Sequence, residues 1–314
     1  MLVQLLQFLP VLISDCNPDA SVALVPIVSG WSRPAWGVVQ PTSRSPPPPL
    51  PPPAGRKVCD VTAYGATGRG FSFDTASIAA AIAECQAHPD GGVVLLPGST
   101  SPRVYLIDAP LNISGDGMAL RIESGAVLRA VTHGDSWPQG GDPADPRAAI
   151  GFNPDCADAL DLAHCGAQFH PVVYATNSAR VSLEGAGTIE VDGIAWWKPW
   201  CDGGVRPKAL RPFVVRIHNS TDVMLRDVTI LNAPFWTVVP TFVTAVRIHN
   251  ISIANPQWSP NTDGIEPMRS TDITVTRCVV PSASCPLRRA RADRLYPSLC
   301  LSLPRAQRVR EQRG

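Results

Sequence analysis

Asn219–Ile230 reads N-S-T-D-V-M-L-R-D-V-T-I, Val243–Ile253 reads V-T-A-V-R-I-H-N-I-S-I, and Ser270–Val280 reads S-T-D-I-T-V-T-R-C-V-V. The three align on Val223, Val246 and Ile273, and a more distant copy, N-S-A-R-V-S-L-E-G-A-G-T-I, spans Asn177–Ile189. Each holds short β-branched runs split by Asn, Asp or Gly, the composition of strands and turns. A unit recurring every 20 to 50 residues or so indicates a solenoid, and one built only of strands and turns indicates a parallel β-helix. Stacking the units places residues one repeat apart on neighbouring strands about 4.8 Å from each other. Inward Val, Ile and Leu then form core ladders, while alternate polar positions line an outer face along which an extended polymer could lie. The expected fold is all-β, a right-handed parallel β-helix.

Upstream, Asp74 precedes T-A-S-I-A-A-A-I-A-E-C, in which Ile78, Ile82 and Cys85 recur at helical spacing before H-P-D-G-G stops the pattern. One short N-terminal helix is expected there, with Asp74 as its N-cap, covering the strand edges of the first coil.

The 314 residues are 45% hydrophobic, enough for a substantial core, and a net charge of +1 argues against nucleic acid as a partner. Met1–Ile13 is an apolar run shorter than the roughly 20 residues of a membrane span, so no span is expected. Residues 1–23 read as a secretory leader with a cleavage site near Ser21 and Ala23. Residues 24–57 form a Pro-rich linker whose P-T-S-R-S-P-P-P-P-L-P-P-P, Pro41–Pro53, favours extended polyproline II. Residues 58–280 are the expected β-helix. The tail, 281–314, sets eight Arg against Asp293 and Glu311, lacks strand alternation and does not continue the repeat. It reads as an intron read-through, a frameshift or an alternative terminal exon, with a real basic tail that binds an acidic polymer as the rival. Nine Cys suit an oxidising compartment. Cys156 and Cys165, near His164 and His170, read as a local disulfide or free thiols rather than zinc ligands, since no C-x-x-C occurs; neither metal nor cofactor is expected.

Between two strand-like segments, S-P-N-T-D-G-I-E-P, Ser259–Pro267, sets Asp263 in a turn-forming context. Five more stretches accompany it: Y-G-A-T-G-R-G (Tyr64–Gly70), G-G-V-V-L-L-P-G (Gly91–Gly98), G-A-G-T-I-E-V-D-G-I-A-W-W (Gly185–Trp197), R-P-F-V-V (Arg211–Val215) and L-N-A-P-F-W (Leu231–Trp236). On these residues the region from about Val58 to Val280 resembles the polygalacturonases of glycoside hydrolase family 28, members of the pectin-lyase-like β-helix group. The resemblance implies a secreted, metal-free enzyme that hydrolyses α-1,4-galacturonosidic bonds of pectin, an acidic cell-wall polysaccharide, with inversion. It makes Asp263 the water-activating aspartate. Asn261 is a candidate substrate contact beside it, with turn formation the equal alternative.

The family follows N-T-D with G-D-D, G-H-G and R-I-K. Here the position of G-D-D falls on Ala283, Ser284 and Cys285, and neither later motif occurs downstream. An inverting glycosidase needs an acid and a base carboxyl about 6.5–9.5 Å apart. Hydrolysis by these 314 residues is therefore not expected, and the open end of an incomplete β-helix is expected to promote self-association. A non-catalytic wall-polysaccharide-binding protein is the alternative. Without neighbouring like charges, Asp263 is expected to titrate more normally than in an intact family site. Trp196 and Trp197 are expected in a β-coil, one in the core and one at the surface. His218 and His249, both in R-I-H-N but out of phase in the repeat, are expected at the surface, and Glu184, Glu190 and Asp192 at solvated turns.

Overall fold

The structure, a computed structural model, describes residues 56–132, 137–140, 168–201, 211–256 and 259–280. The leader, nearly all of the Pro-rich linker, the basic tail and the Cys156/Cys165 pair lie outside the described residues.

Three parallel sheets wind into a right-handed β-helix. The first sheet stacks Lys57–Asp60, Gly92–Leu96, Ala119–Ile122, Ser182–Glu184, Thr221–Arg226, Thr244–His249 and Thr271–Thr276. The second stacks Leu111–Asn112, Val173–Thr176, Val215–His218 and Val238–Thr241, and Ile265 and Met268 extend it through bridges to Val238 and Thr241. The third stacks Arg69–Phe73, Arg103–Ile107, Ala126–Ala130, Thr188–Val191, Thr229–Leu231 and Ser252–Ala254. Val223 pairs with Val246 and Val246 with Ile273, the register that the repeats require. Core ladders follow from it: Leu120, Leu183, Leu225 and Ile248 stack inside the first sheet, and Leu128, Ile189, Ile230 and Ile253 inside the third.

From Val173 onward, short corners of two to five residues join the second sheet to the first and the first to the third. The longer connections, residues 131–172, 192–214, 232–237 and 255–264, all lead from the third sheet to the second. Left-handed residues recur at the corner after the second sheet: Asn177, Asn219, Phe242 and Arg269. Asn tolerates this conformation best, and Asn219 Nδ2 donates to Asn177 Oδ1 across one coil at 2.6 Å.

Helix α1, Thr75–Gln86, buries Ile78, Ala81, Ile82 and Cys85 against the first coil, as its periodicity predicts. Asp74 sits at its N-cap position but does not cap it. Its carboxylate instead accepts from the Thr67 and Gly68 backbone N–H groups at 2.7 and 3.2 Å, tying down the Gly-rich loop before the helix. A disulfide between Cys59 and Cys85 pins the helix to the first strand. Closing a loop of that length is worth about 3 kcal/mol in the chain-entropy account.

Two sequence expectations change. Trp196 and Trp197 lie on a second helix, α2, Ile194–Cys201, rather than in a β-coil. Trp197 is buried and donates to the Pro234 carbonyl, while half-buried Trp196 donates to Thr132 Oγ1 and meets the Phe169 ring edge-on. Glu184 and Glu190 are buried strand residues, not solvated turn residues. Stacking sets Arg121 beside Glu184, with a 2.6 Å contact, and Arg129 beside Glu190 at 2.8 Å, which balances the charge that burial would otherwise penalise. Asp192 accepts from the Thr132 backbone N–H and hydroxyl one coil away. No helix among the described residues is long and apolar enough to cross a membrane.

Candidate active site

The connection 255–264 delivers Asp263 to the start of the last strand of the second sheet, where its carbonyl accepts from Thr237 N at 2.8 Å. A hydrogen-bonded turn shapes the approach. Ser259 N donates to the Pro256 carbonyl, the Ser259 and Thr262 hydroxyls meet at 2.6 Å, and Asn261 turns the chain with a left-handed φ of 53°. Beneath it lies Asn255, fully buried. Its Oδ1 accepts from Ala233 N at 2.8 Å, and its Nδ2 donates to Thr237 Oγ1 at 3.2 Å and to the Thr262 carbonyl at 3.0 Å. One amide thus serves the backbone of two consecutive coils.

Arg211 braces the turn from the other side. Its Nη1 donates to the carbonyls of Pro234 and Pro260 at 2.9 and 2.8 Å, and its Nη2 donates to Asn261 Oδ1 at 3.0 Å. Its guanidinium lies 4.8 Å from the centre of the Phe235 ring. Phe235 stacks on Trp236 and lies 5.6 Å from Phe213, so an aromatic cluster covers the outside of the second sheet next to the turn.

Burial pushes the Asp263 carboxyl up to about 6, against the opposing pull of backbone hydrogen bonding and of the Arg211 charge. The shift comes from loss of solvent and not from a neighbouring like charge. A carboxyl balanced near 6 can hold a proton in mild acid and release it near neutrality, as proton-transfer chemistry requires.

The structure brings Asp263 and Asn261 together at one end of the second sheet, with Asn261 exposed and Asp263 half-buried. Glu266 follows on the same strand, beside Val239 on the outer side of the sheet. Asp272 is elsewhere, ion-paired to Arg247 on the first sheet at 2.9 Å. The two R-I-H-N histidines are separated, as their phase predicts. His249 shares a 2.7 Å hydrogen bond with Thr276 on the first sheet, while His218 lies on the outer face of the second. His218 is not an ordinary surface residue: burial and then the neighbouring Arg216 charge push its pKa down to about 4. Sequence reasoning missed Arg211 and Asn255 as parts of the site. Arg211 stood within a quoted motif, but its bonds span 23 to 50 residues and no local pattern reveals them.

Residues 166–283 match the family model for glycosyl hydrolases family 28. The chain is 27% identical over 221 residues to a probable polygalacturonase of Vitis vinifera, covering 70% of this chain and 41% of the relative. It is 28% identical over 214 residues to an endo-polygalacturonase of Pectobacterium parmentieri, covering 65% and 48%. The chain thus spans less than half the length of these relatives. Among solved structures, its fold is similar to a polygalacturonase from Erwinia carotovora ssp. carotovora, with a TM-score of 0.54, 24% identity and coverage of 76% of this chain and 59% of that one. A family 28 exopolygalacturonase from Yersinia enterocolitica gives a TM-score of 0.58 at 15% identity, with coverage of 73% and 44%. The matched stretch holds Arg211, Asn255, Asn261 and Asp263, and over it the chain is similar to family 28 of the glycosyl hydrolases.

Proposed function

We propose that the outer face of the second sheet and the Asp263 turn receive polygalacturonate, the acidic backbone of pectin, outside the cell. Asp263 is the carboxyl set at the scissile α-1,4 bond, and Asn261 and Arg211 hold the turn that presents it. The observation carrying this reading is the half-buried Asp263 carboxyl, balanced near 6 at the end of a parallel sheet face. The Cys59–Cys85 disulfide supports an oxidising, extracellular setting.

Binding and turnover separate in this polypeptide. Inverting hydrolysis needs a second carboxyl to protonate the leaving oxygen, and acid and base assistance are each worth about 10² to 10⁴ in rate. The G-D-D, G-H-G and R-I-K motifs are absent from the 314 residues. By itself the chain therefore binds polygalacturonate without cleaving it. Incubated with the polymer, the purified chain should be retained by it yet release no reducing ends above background, and Asp263→Asn should leave that background unchanged. Turnover that Asp263→Asn abolishes would show that another group supplies the acid, with Glu266 the first to test. Failure of the chain to bind polygalacturonate would overturn the substrate assignment.

A further inference from the structure

Outward side chains of the second sheet alternate with its core residues. Tyr174, Arg216 and Val239 therefore form one row across the face, and Thr176, His218 and Thr241 form the next. Arg216 is 0% exposed. Among the described residues its Nε, Nη1 and Nη2 have no hydrogen-bond partner, nor do His218 Nδ1 and Thr241 Oγ1 in the adjoining row. His170 Nδ1 is likewise unpartnered, and the His170 ring lies 5.5 Å from that of Tyr174.

A dry, unpaired guanidinium is among the costlier groups a protein can bury, and buried polar atoms are rarely left without partners. Here such atoms converge on one sheet face. The guanidinium presents five N–H donors in a planar fork that fits a carboxylate through two parallel hydrogen bonds. The Phe213 ring, 5.2 Å from Arg216 Cζ, offers an apolar surface beside it. His218 stays neutral above mild acid, so it and Thr241 present uncharged polar atoms next to the cation.

We propose that Arg216 reads the carboxylate of one hexuronate unit, while His218 Nδ1 and Thr241 Oγ1 take hydroxyls of the same sugar. This rests on the assignment of the face to galacturonan and adds the group that distinguishes the acid from its neutral counterparts. A neutral hexose or a methyl ester would leave the buried cation unpaired and should be rejected. Arg216 is closed from solvent in the ligand-free chain, so binding includes an opening step driven by relief of that unpaired charge.

The test titrates the purified chain with trigalacturonate, its fully methyl-esterified form and neutral galactotriose, by calorimetry and by shift of melting temperature. Wild type should prefer trigalacturonate by about 10- to 100-fold, the usual worth of hydrogen bonds to a charged group. Arg216→Met should lose that preference while its ligand-free melting temperature rises, because an apolar side chain of similar length replaces an uncompensated charge. Arg216→Lys should keep the charge and part of the preference but lose the two-pronged fit. An Arg216→Met variant that keeps the full preference overturns this site and leaves the galacturonan assignment standing. A wild-type chain that neither distinguishes the three sugars nor is retained by polygalacturonate overturns both.

Discussion

Asn255 Nδ2 donates to the carbonyl of Thr262, 3.0 Å away and one residue before Asp263, so a fully buried amide holds the turn that presents the carboxyl. Removing it strands the Ala233 N–H and the Thr262 carbonyl in a dry interior. Asn255→Leu should therefore cost about 2–4 kcal/mol, measured as a lower urea midpoint, and should make the 256–264 turn the first site of proteolysis. An unchanged midpoint would show that the turn stands without the amide.

Asp263 and His218 pull stability in opposite directions over the same pH range. The folded-state pKa of Asp263 is raised from 3.8 to about 6, so the folded chain holds a proton the unfolded chain has released, and stability falls as pH rises from 4 to 6. That of His218 is lowered from 6.5 to about 4, so the unfolded chain takes up a proton the folded chain refuses, and stability falls as pH drops from 6.5 to 4. His170, also lowered by burial, acts with His218. Each shift of about two units corresponds to roughly 3 kcal/mol at most. Relative to wild type, Asp263→Asn should gain stability with rising pH between 4 and 6, and His218→Gln should lose it between 4 and 6.5. Denaturant midpoints at half-unit pH steps would show whether the two slopes part in this way.

Two ion pairs on the first sheet should differ sharply in worth. Glu184 is buried beside Arg121, with Arg226 at 3.5 Å, whereas the side chains of Arg247 and Asp272 are 40% and 57% exposed. Glu184→Gln should cost about 3–5 kcal/mol because it leaves buried positive charge uncompensated. Asp272→Asn should change stability by less than about 1 kcal/mol, and added salt should erase even that. Equal effects would mean that burial does not govern these contacts.

Gly185 opens the G-A-G-T corner with φ at 116°, and a Cβ there would collide with the Ile122 carbonyl of the preceding coil. Gly185→Ala combines backbone strain with a clash against main chain that cannot move aside. A loss of more than about 2 kcal/mol is expected, read from thermal melts. A neutral substitution would mean that coils in this region are less closely stacked.

What was legible in the sequence was whatever repeats. Val223, Val246 and Ile273 recur because each coil must supply one inward residue at the same place, and Ile78, Ile82 and Cys85 recur because a helix faces the core every three to four residues. The turn that carries Asn261 and Asp263 was legible through local turn chemistry, and Asn261 takes the left-handed φ that such a stretch tolerates. The contacts of Glu184 were not, since Arg121 lies 63 residues away and only stacking makes them neighbours. Helix α2 was hidden by Pro199 and adjacent tryptophans within eight residues. The high pKa of Asp263 and the orphaned state of Arg216 depend on what shuts out water, and one-dimensional spacing carries no record of that.

From Val173 onward the chain lengthens at one corner of its coil and stays short at the other two. The positions that keep coils in register are thereby separate from the candidate site: Arg211, Asn255 and Asp263 all come from third-to-second-sheet connections, while the ladders do not. Segments exchanged within these connections would alter the surroundings of the candidate site while leaving the inward ladder residues of the strands, such as Ile189, Ile230 and Ile253, in place. Such an architecture lets recognition diversify by recombination at one seam while the load of folding is carried by strands that need not change.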